Sequence, residues 1–394
     1  MVKNKTDKKK SQWSTTFLII GCSAIVGLVI GFISGAFFDT YNIEIDLTLS
    51  IIGFIAFFMS LFIHILFHEA GHLVFGLLTG YTYVSFRVGS LTFIKEDGRF
   101  KRKRMNLPGT GGQCLMSPPA YKNGDFPFVL YNLGGVLVNL ILSIVAFVFV
   151  INGLFLFSIS TVIWSAFSLA GLFSAIINGV PMKIGGLPND GYNLYLLLKE
   201  KENKRAFFTQ LTINALMTKG KRVKDVSLET LQLEGEKEYT NPLKASIYLL
   251  EYNWYLDQLK FDEARTCIDP FKPYLEELPE MYKNELYCEW LFLELIQQEE
   301  LHPFVVKNLY TDALQKYIKM TTYLPNKKRL MMAYEAFYQK DQRKATDYYT
   351  ELLKTAEMYP VKGEADMEVM LGEWISEQVS PLRVVNEENT SIQA

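Results

Sequence analysis

Residues 47–79 read LTLSIIGFIAFFMSLFIHILFHEAGHLVFGLLT, an apolar run whose ionisable side chains are His64, His68, Glu69 and His72. Such a run crosses a hydrocarbon core of about 30 Å at ~1.5 Å per residue, so it reads as a transmembrane helix. Three of the protein's four histidines lie in it. An unpaired carboxylate in a span costs about 2.5–3.5 kcal/mol on insertion scales, and ionisable residues kept inside a membrane are functional candidates by default.

Residues four apart share a helix face, with Cβ atoms about 6 Å from each other. His68 and His72 therefore converge on one point, and Glu69, one step round, can address a water there. An H-E-x-x-H arrangement of this kind supplies two zinc ligands and a general base. A chance occurrence in a chain this long has odds on the order of one in several hundred. His64 lies one turn earlier on the same face, where a third ligand from the same helix is strained. A place behind the ligands, a substrate-facing position or a hydrogen-bonded core histidine are the readings left for it.

Working outward, three more runs are long enough to span: 15–38, 128–150 and 158–178. The first is longer than the ~7–15 apolar residues of a secretory signal, and no A-x-A-like site follows it, so it reads as a retained helix. Lys3, Lys5, Lys8, Lys9 and Lys10 precede it, and DTYNIEID after it carries only acids. The loop 80–127 holds KEDGRFKRKR, INGLFLFS between the last two spans is uncharged, and lysines resume at Lys183. Positive residues favour the cytoplasmic side. The alternation puts both termini in the cytoplasm and His68 near the cytoplasmic end of its span.

A net charge of −2 argues against bulk nucleic-acid binding. Cys22, Cys114, Cys267 and Cys288 form no CxxC pair and no disulfide framework, which suits a reducing compartment or a membrane interior. Catalytic zinc takes three protein ligands and an open position. The last span ends in IINGVPMKIGGLPNDGYN, 176–193, and Asp190 emerges at the same membrane face as His68 and His72. The plain alternative for Asp190 is a turn aspartate, Asp-Gly being a frequent turn pair.

The sequence resembles the site-2 proteases, zinc metalloproteases that cleave within membranes. The likeness rests on HEAGH, on NLGGVLVNL at 132–140 with Gly134, Gly135 and Asn139, and on Asn178, Pro181, Asp190 and Gly191. It covers about residues 47–195. The resemblance implies His68, His72 and Asp190 as ligands of Zn2+, Glu69 as the base, and Asn139 and Asn178 as substrate-binding residues. Here MKIGGLPN separates Pro181 from Asp190, a longer insertion than the family usually has.

YTYVSFRVGSLTFIKEDGRFKRKR, 81–104, reads as strand–turn–strand. Site-2 proteases carry a comparable element at the active site, and its edge could hold an extended substrate by β-augmentation. In GTGGQCLMSPP, 109–119, Cys114 reads as packing. Beyond about residue 195 the pattern is helical. PLKASIYLLEYNWYLDQLKFDEARTCIDPF, 242–271, resembles a tetratricopeptide-type hairpin, with a weaker echo in MMAYEAFYQKDQRKATDYYTELL, 331–353.

The expected fold is an all-α polytopic membrane protein with four transmembrane helices, a small β-hairpin near the active site and an α-helical, repeat-like cytoplasmic domain. Its parts are a basic N-terminus 1–14, a first helix 15–38, a core 47–195, a helical domain 196–383 and a disordered tail 384–394. The expected activity is intramembrane zinc endopeptidase, in a bacterial cell membrane. Substrates would be single-pass membrane proteins or membrane-inserted peptide precursors, with a protein partner on the helical domain and no nucleic acid. The competing reading is a degenerate membrane-anchored scaffold, against which the intact His68–Glu69–His72 set argues.

Overall fold

The computed structural model describes residues 47–96, 99–104, 111–153, 158–297 and 303–379. The basic N-terminus, the expected span at 15–38 and the 384–394 tail lie outside the described residues. Among the described residues three helices are long and apolar enough to cross a membrane: α1 Leu47–Leu78, α2 Val129–Ile151 and α3 Ser158–Gly179. They fall where the apolar runs predict them, and the protein is an integral membrane protein. Phe54, Phe58 and Phe62, at helical spacing on α1, are each more than half exposed. A lipid-facing stripe accounts for that exposure.

The chain divides into two compact units. One holds Leu47–Leu61 together with Ser143–Ala170. Within it Ser143 Oγ donates to the Ser168 carbonyl and Ser168 Oγ donates to the Ser143 carbonyl at 2.9 Å. Lipid offers little hydrophobic drive for helix association, so small hydroxyl residues that admit close contact and hydrogen bonds tie α2 to α3.

The other unit holds the described residues of 62–142 and 171–379. Its sheet corrects the expected hairpin. β1 Thr82–Val88, β2 Leu91–Glu96, β3 Arg99–Arg104 and β4 Gly112–Ser117 form a four-stranded antiparallel sheet in the order β3-β2-β1-β4. The first turn is tight, with Val88 opposite Leu91 and Gly89 at φ 59°. β4 escapes a reading by alternation because Cys114, Leu115 and Met116 are all buried, and a strand covered on both faces loses its period of two.

The long insertion before Asp190 is a second hairpin. β5 Lys183–Ile184 pairs with β6 Leu187–Pro188 around Gly185 and Gly186, at φ 59° and 87°. Two consecutive positive φ values are what a two-residue hairpin turn of this type requires, hence Gly-Gly. After it come α4 Asp190–Lys199 and α5 Lys201–Thr218. The remaining helices include the hairpin of Pro242–Leu256 with Phe261–Ile268 and that of Pro325–Ala333 with Gln342–Met358. Tyr248, Tyr252 and Trp290 are buried and Trp254 and Tyr255 partly buried, so these aromatics belong to the core of the helical part.

Candidate metal centre

Two glycine contacts set the distance between α1 and α2. A Cβ on Gly71 would meet the Gly134 carbonyl, and one on Gly134 would meet the Gly71 carbonyl. Gly135 leaves room for the His68 ring in the same way. This approach brings His72 Nδ1 to the Tyr131 carbonyl at 2.6 Å. The carbonyl can only accept, so the proton sits on Nδ1 and the neutral ring presents a lone pair at Nε2.

Asp190 arrives by way of Asn189. The Asn189 side chain donates to the carbonyls of Ile177 at 2.5 Å and Val180 at 2.6 Å, and accepts from Met182 N and Tyr192 N. It thus closes the second hairpin and caps α4 at once. Gly191 packs against the Gly179 carbonyl, where no side chain fits. The longer insertion therefore returns Asp190 to the metal site instead of displacing it.

His68 Nε2 and His72 Nε2 are 3.1 Å apart, and Asp190 Oδ2 lies 3.0 Å from the first and 3.4 Å from the second. Around zinc, with bonds of about 2.0–2.1 Å and tetrahedral angles, neighbouring ligand atoms lie about 3.3 Å apart. Asp190 Oδ2 is buried against the His68 and His72 ring nitrogens, and the His72 Nε2 lone pair faces it. Such a set repels itself unless a cation sits among its members, so these residues fit a zinc ion.

Glu69 is buried beside them and packs on β4 at Gly112, where a Cβ would come within 2.5 Å of Glu69 Cγ. Arg87, buried on β1, holds that strand by donating to the Gly112 carbonyl at 3.0 Å and to the Gly89 carbonyl at 2.8 Å. Burial lowers the Arg87 pKa and the Glu69 carboxylate opposes the shift. A guanidinium keeps its proton under such conditions. Burial and Glu69 push the Cys114 thiol well above its usual range, which fits its reading as packing.

His64 is fully buried and donates from Nδ1 to Asn139 Oδ1 at 3.1 Å, standing outside the three-ligand cluster. Asn139 Nδ2 is left without a partner. Asn178 Nδ2 donates to the Ser174 carbonyl at 2.9 Å. His64, Asn139 and Asn178 line the same chamber as the three ligand residues and Glu69, with a volume of about 460 Å³.

A match to Peptidase family M50 extends over residues 56–350. The chain belongs to Peptidase family M50, the site-2 proteases. Comparison with the curated proteins and with the solved structures returned no match. As an M50 peptidase it carries the family's metallopeptidase character on a candidate His-His-Asp site. Sequence reasoning missed Asn189, Arg87 and the part α5 plays in the chamber. Asn189 alone left a signal, as an N-cap residue directly before the helix that begins at Asp190.

Proposed function

We propose that this M50 peptidase is an intramembrane zinc endopeptidase that cleaves transmembrane segments or membrane-inserted peptide precursors. The supporting observation is the triangle of His68 Nε2, His72 Nε2 and Asp190 Oδ2, 3.0–3.4 Å on a side, with Glu69 beside it on a membrane-spanning helix. His68, His72 and Asp190 would hold the ion. When bound, zinc supplies Lewis acidity, making a water more acidic and a carbonyl more electrophilic.

The chain's own groups do the rest. Tyr131 O fixes the His72 tautomer, and Arg87 holds β4 against Glu69. The Glu69 carboxylate takes the proton of the attacking water and delivers it to the leaving amine. A helical substrate hides its peptide bonds and must unwind first. β4 lies at a sheet edge beside the chamber, and an unwound segment could add to it as a strand.

The test is mass spectrometry of membrane peptides from cells making the wild type or Glu69→Ala. Peptides cut within an apolar segment should appear with the wild type alone. Identical peptide sets would overturn the assignment.

A further inference from the structure

The first helix of the charged half of the chain is a wall of the catalytic chamber. α5 packs on β1 and β4, and its Gln210 and Asn214, one turn apart on one face, line the chamber together with Phe207 and Leu211. The helix is held there through its N-terminal half. Phe208 packs on Tyr121 and Phe126 with ring centroids 4.9 and 5.4 Å apart, and Lys204 pairs with Asp125 at 3.1 Å. Asn203 Nδ2 donates to the Leu196 carbonyl at 2.8 Å, and Asn241 Nδ2 donates to Asn203 Oδ1 at 2.9 Å. A helix fixed in this way is part of the site and not a tethered neighbour of it.

Asn193 faces the same chamber from α4, one turn past Asp190, and its Oδ1 is buried with no partner. No lysine or arginine lines the chamber among the described residues, and its acids are Glu69 and Asp190. What Asn193, Gln210 and Asn214 offer is neutral hydrogen bonding, with a donor and an acceptor on each carboxamide. That is the chemistry of a peptide group. A transmembrane segment that unwinds for cleavage exposes N–H and C=O groups, and each one left unpaired out of water costs about 1–3 kcal/mol.

We propose that Asn193, Gln210 and Asn214 are substrate-binding residues that hydrogen-bond the main chain of the unwound segment beside the scissile bond. The proposal rests on the endopeptidase reading for its substrate class. It differs from that reading in assigning substrate contact to Asn193 on α4 and to α5, outside the H-E-x-x-H, Asn-Leu-Gly-Gly and Asp-Gly stretches. Because the contact is to main chain, it makes the enzyme tolerant of the side chains it meets.

The experiment measures binding, so that it stands apart from cleavage. Full-length Glu69→Ala protein, zinc-loaded and reconstituted in vesicles, is titrated with a labelled single-pass peptide carrying a Gly-Pro break in its apolar segment. Gln210→Met with Asn214→Leu keeps size and removes the carboxamides. Affinity should fall about tenfold, by a similar factor for peptides differing in side chains around the break, with zinc content and melting temperature unchanged. N-methylation of successive amides near the break should weaken binding at one or two positions and erase the difference between parent and variant there. Asn193→Ala, as a separate variant, should weaken binding by a similar factor. Equal affinity of parent and variant, or no binding of the peptide by the parent, overturns the proposal. A loss that tracks one substrate side chain and ignores N-methylation overturns it too. Intact, variant-sensitive binding alongside a wild type that never cleaves would sink the endopeptidase reading alone.

Discussion

A single proton placement carries much of the site's chemistry: because the Tyr131 carbonyl takes the His72 Nδ1 hydrogen, Nε2 is free to bind a metal. Purified protein should hold about one zinc per chain, and His68→Ala or His72→Ala should remove it. Glu69→Ala should keep the ion and lose cleavage, and full proteolysis by that variant would sink its role as base. Asp190→Ala should strip zinc while Asp125→Ala does not, since Asp125 is spent on an exposed pair with Lys204. Equal metal content in those two proteins would remove Asp190 from the ligand set. Asn189→Ala should lower zinc affinity by about 10–100-fold, the usual cost of losing a group that orients a ligand. A competitive chelator titration reads it directly. His68, Glu69 and His72 could be read from the sequence because one helix supplies all three. Asp190 needed a topology argument and a family likeness, and Asn189 needed the closed hairpin itself.

Among elements, the three spans were legible and the sheet only in part. Apolar runs leave one solution in lipid, a helix, so α1, α2 and α3 could hardly be misread. β1 and β2 show β-branched and aromatic residues, but β3 is Arg and Lys around one Phe, and β4 hides its alternation by burying consecutive residues. The MKIGGLPN insertion is longer than the family usually has, and the positive φ of Gly185 and Gly186 turns it back within a few residues. Close approach of α1 and α2 is likewise written in glycines whose purpose shows only in pairs. Gly135→Val should press on the His68 ring and lower zinc content toward that of His68→Ala, with the protein still inserted in the membrane. Normal zinc content measured in that variant would show that the helices can separate without disturbing the ligands.

At the scale of the molecule, the charged half holds ion pairs that its sequence disguises. Lys and Glu on helices usually mark a solvated face. Here Arg329 is buried between Glu289 and Glu368, and Lys327 is buried on Glu285 at 2.6 Å. Only the assembled helices reveal which charges are inside. Glu364 joins this group without a cation of its own, bonded by Tyr359 Oη at 3.3 Å, with Glu368 and Glu285 near it and Lys327 opposing them. Burial, and then Glu368, push its pKa up to about 7. An unfolded glutamate titrates near 4.3, so between about pH 4.5 and 7 the folded protein binds more protons than the unfolded one. Stability from this group is therefore lost as pH rises through that window, and levels off above it. Glu364→Gln removes the effect. The variant should match the parent near pH 4 and exceed it by about 1–3 kcal/mol at pH 8. Melting temperatures of both proteins in the same detergent, taken across pH 4–8, decide it. A difference that stays constant with pH would mean that Glu364 keeps an ordinary pKa in the fold.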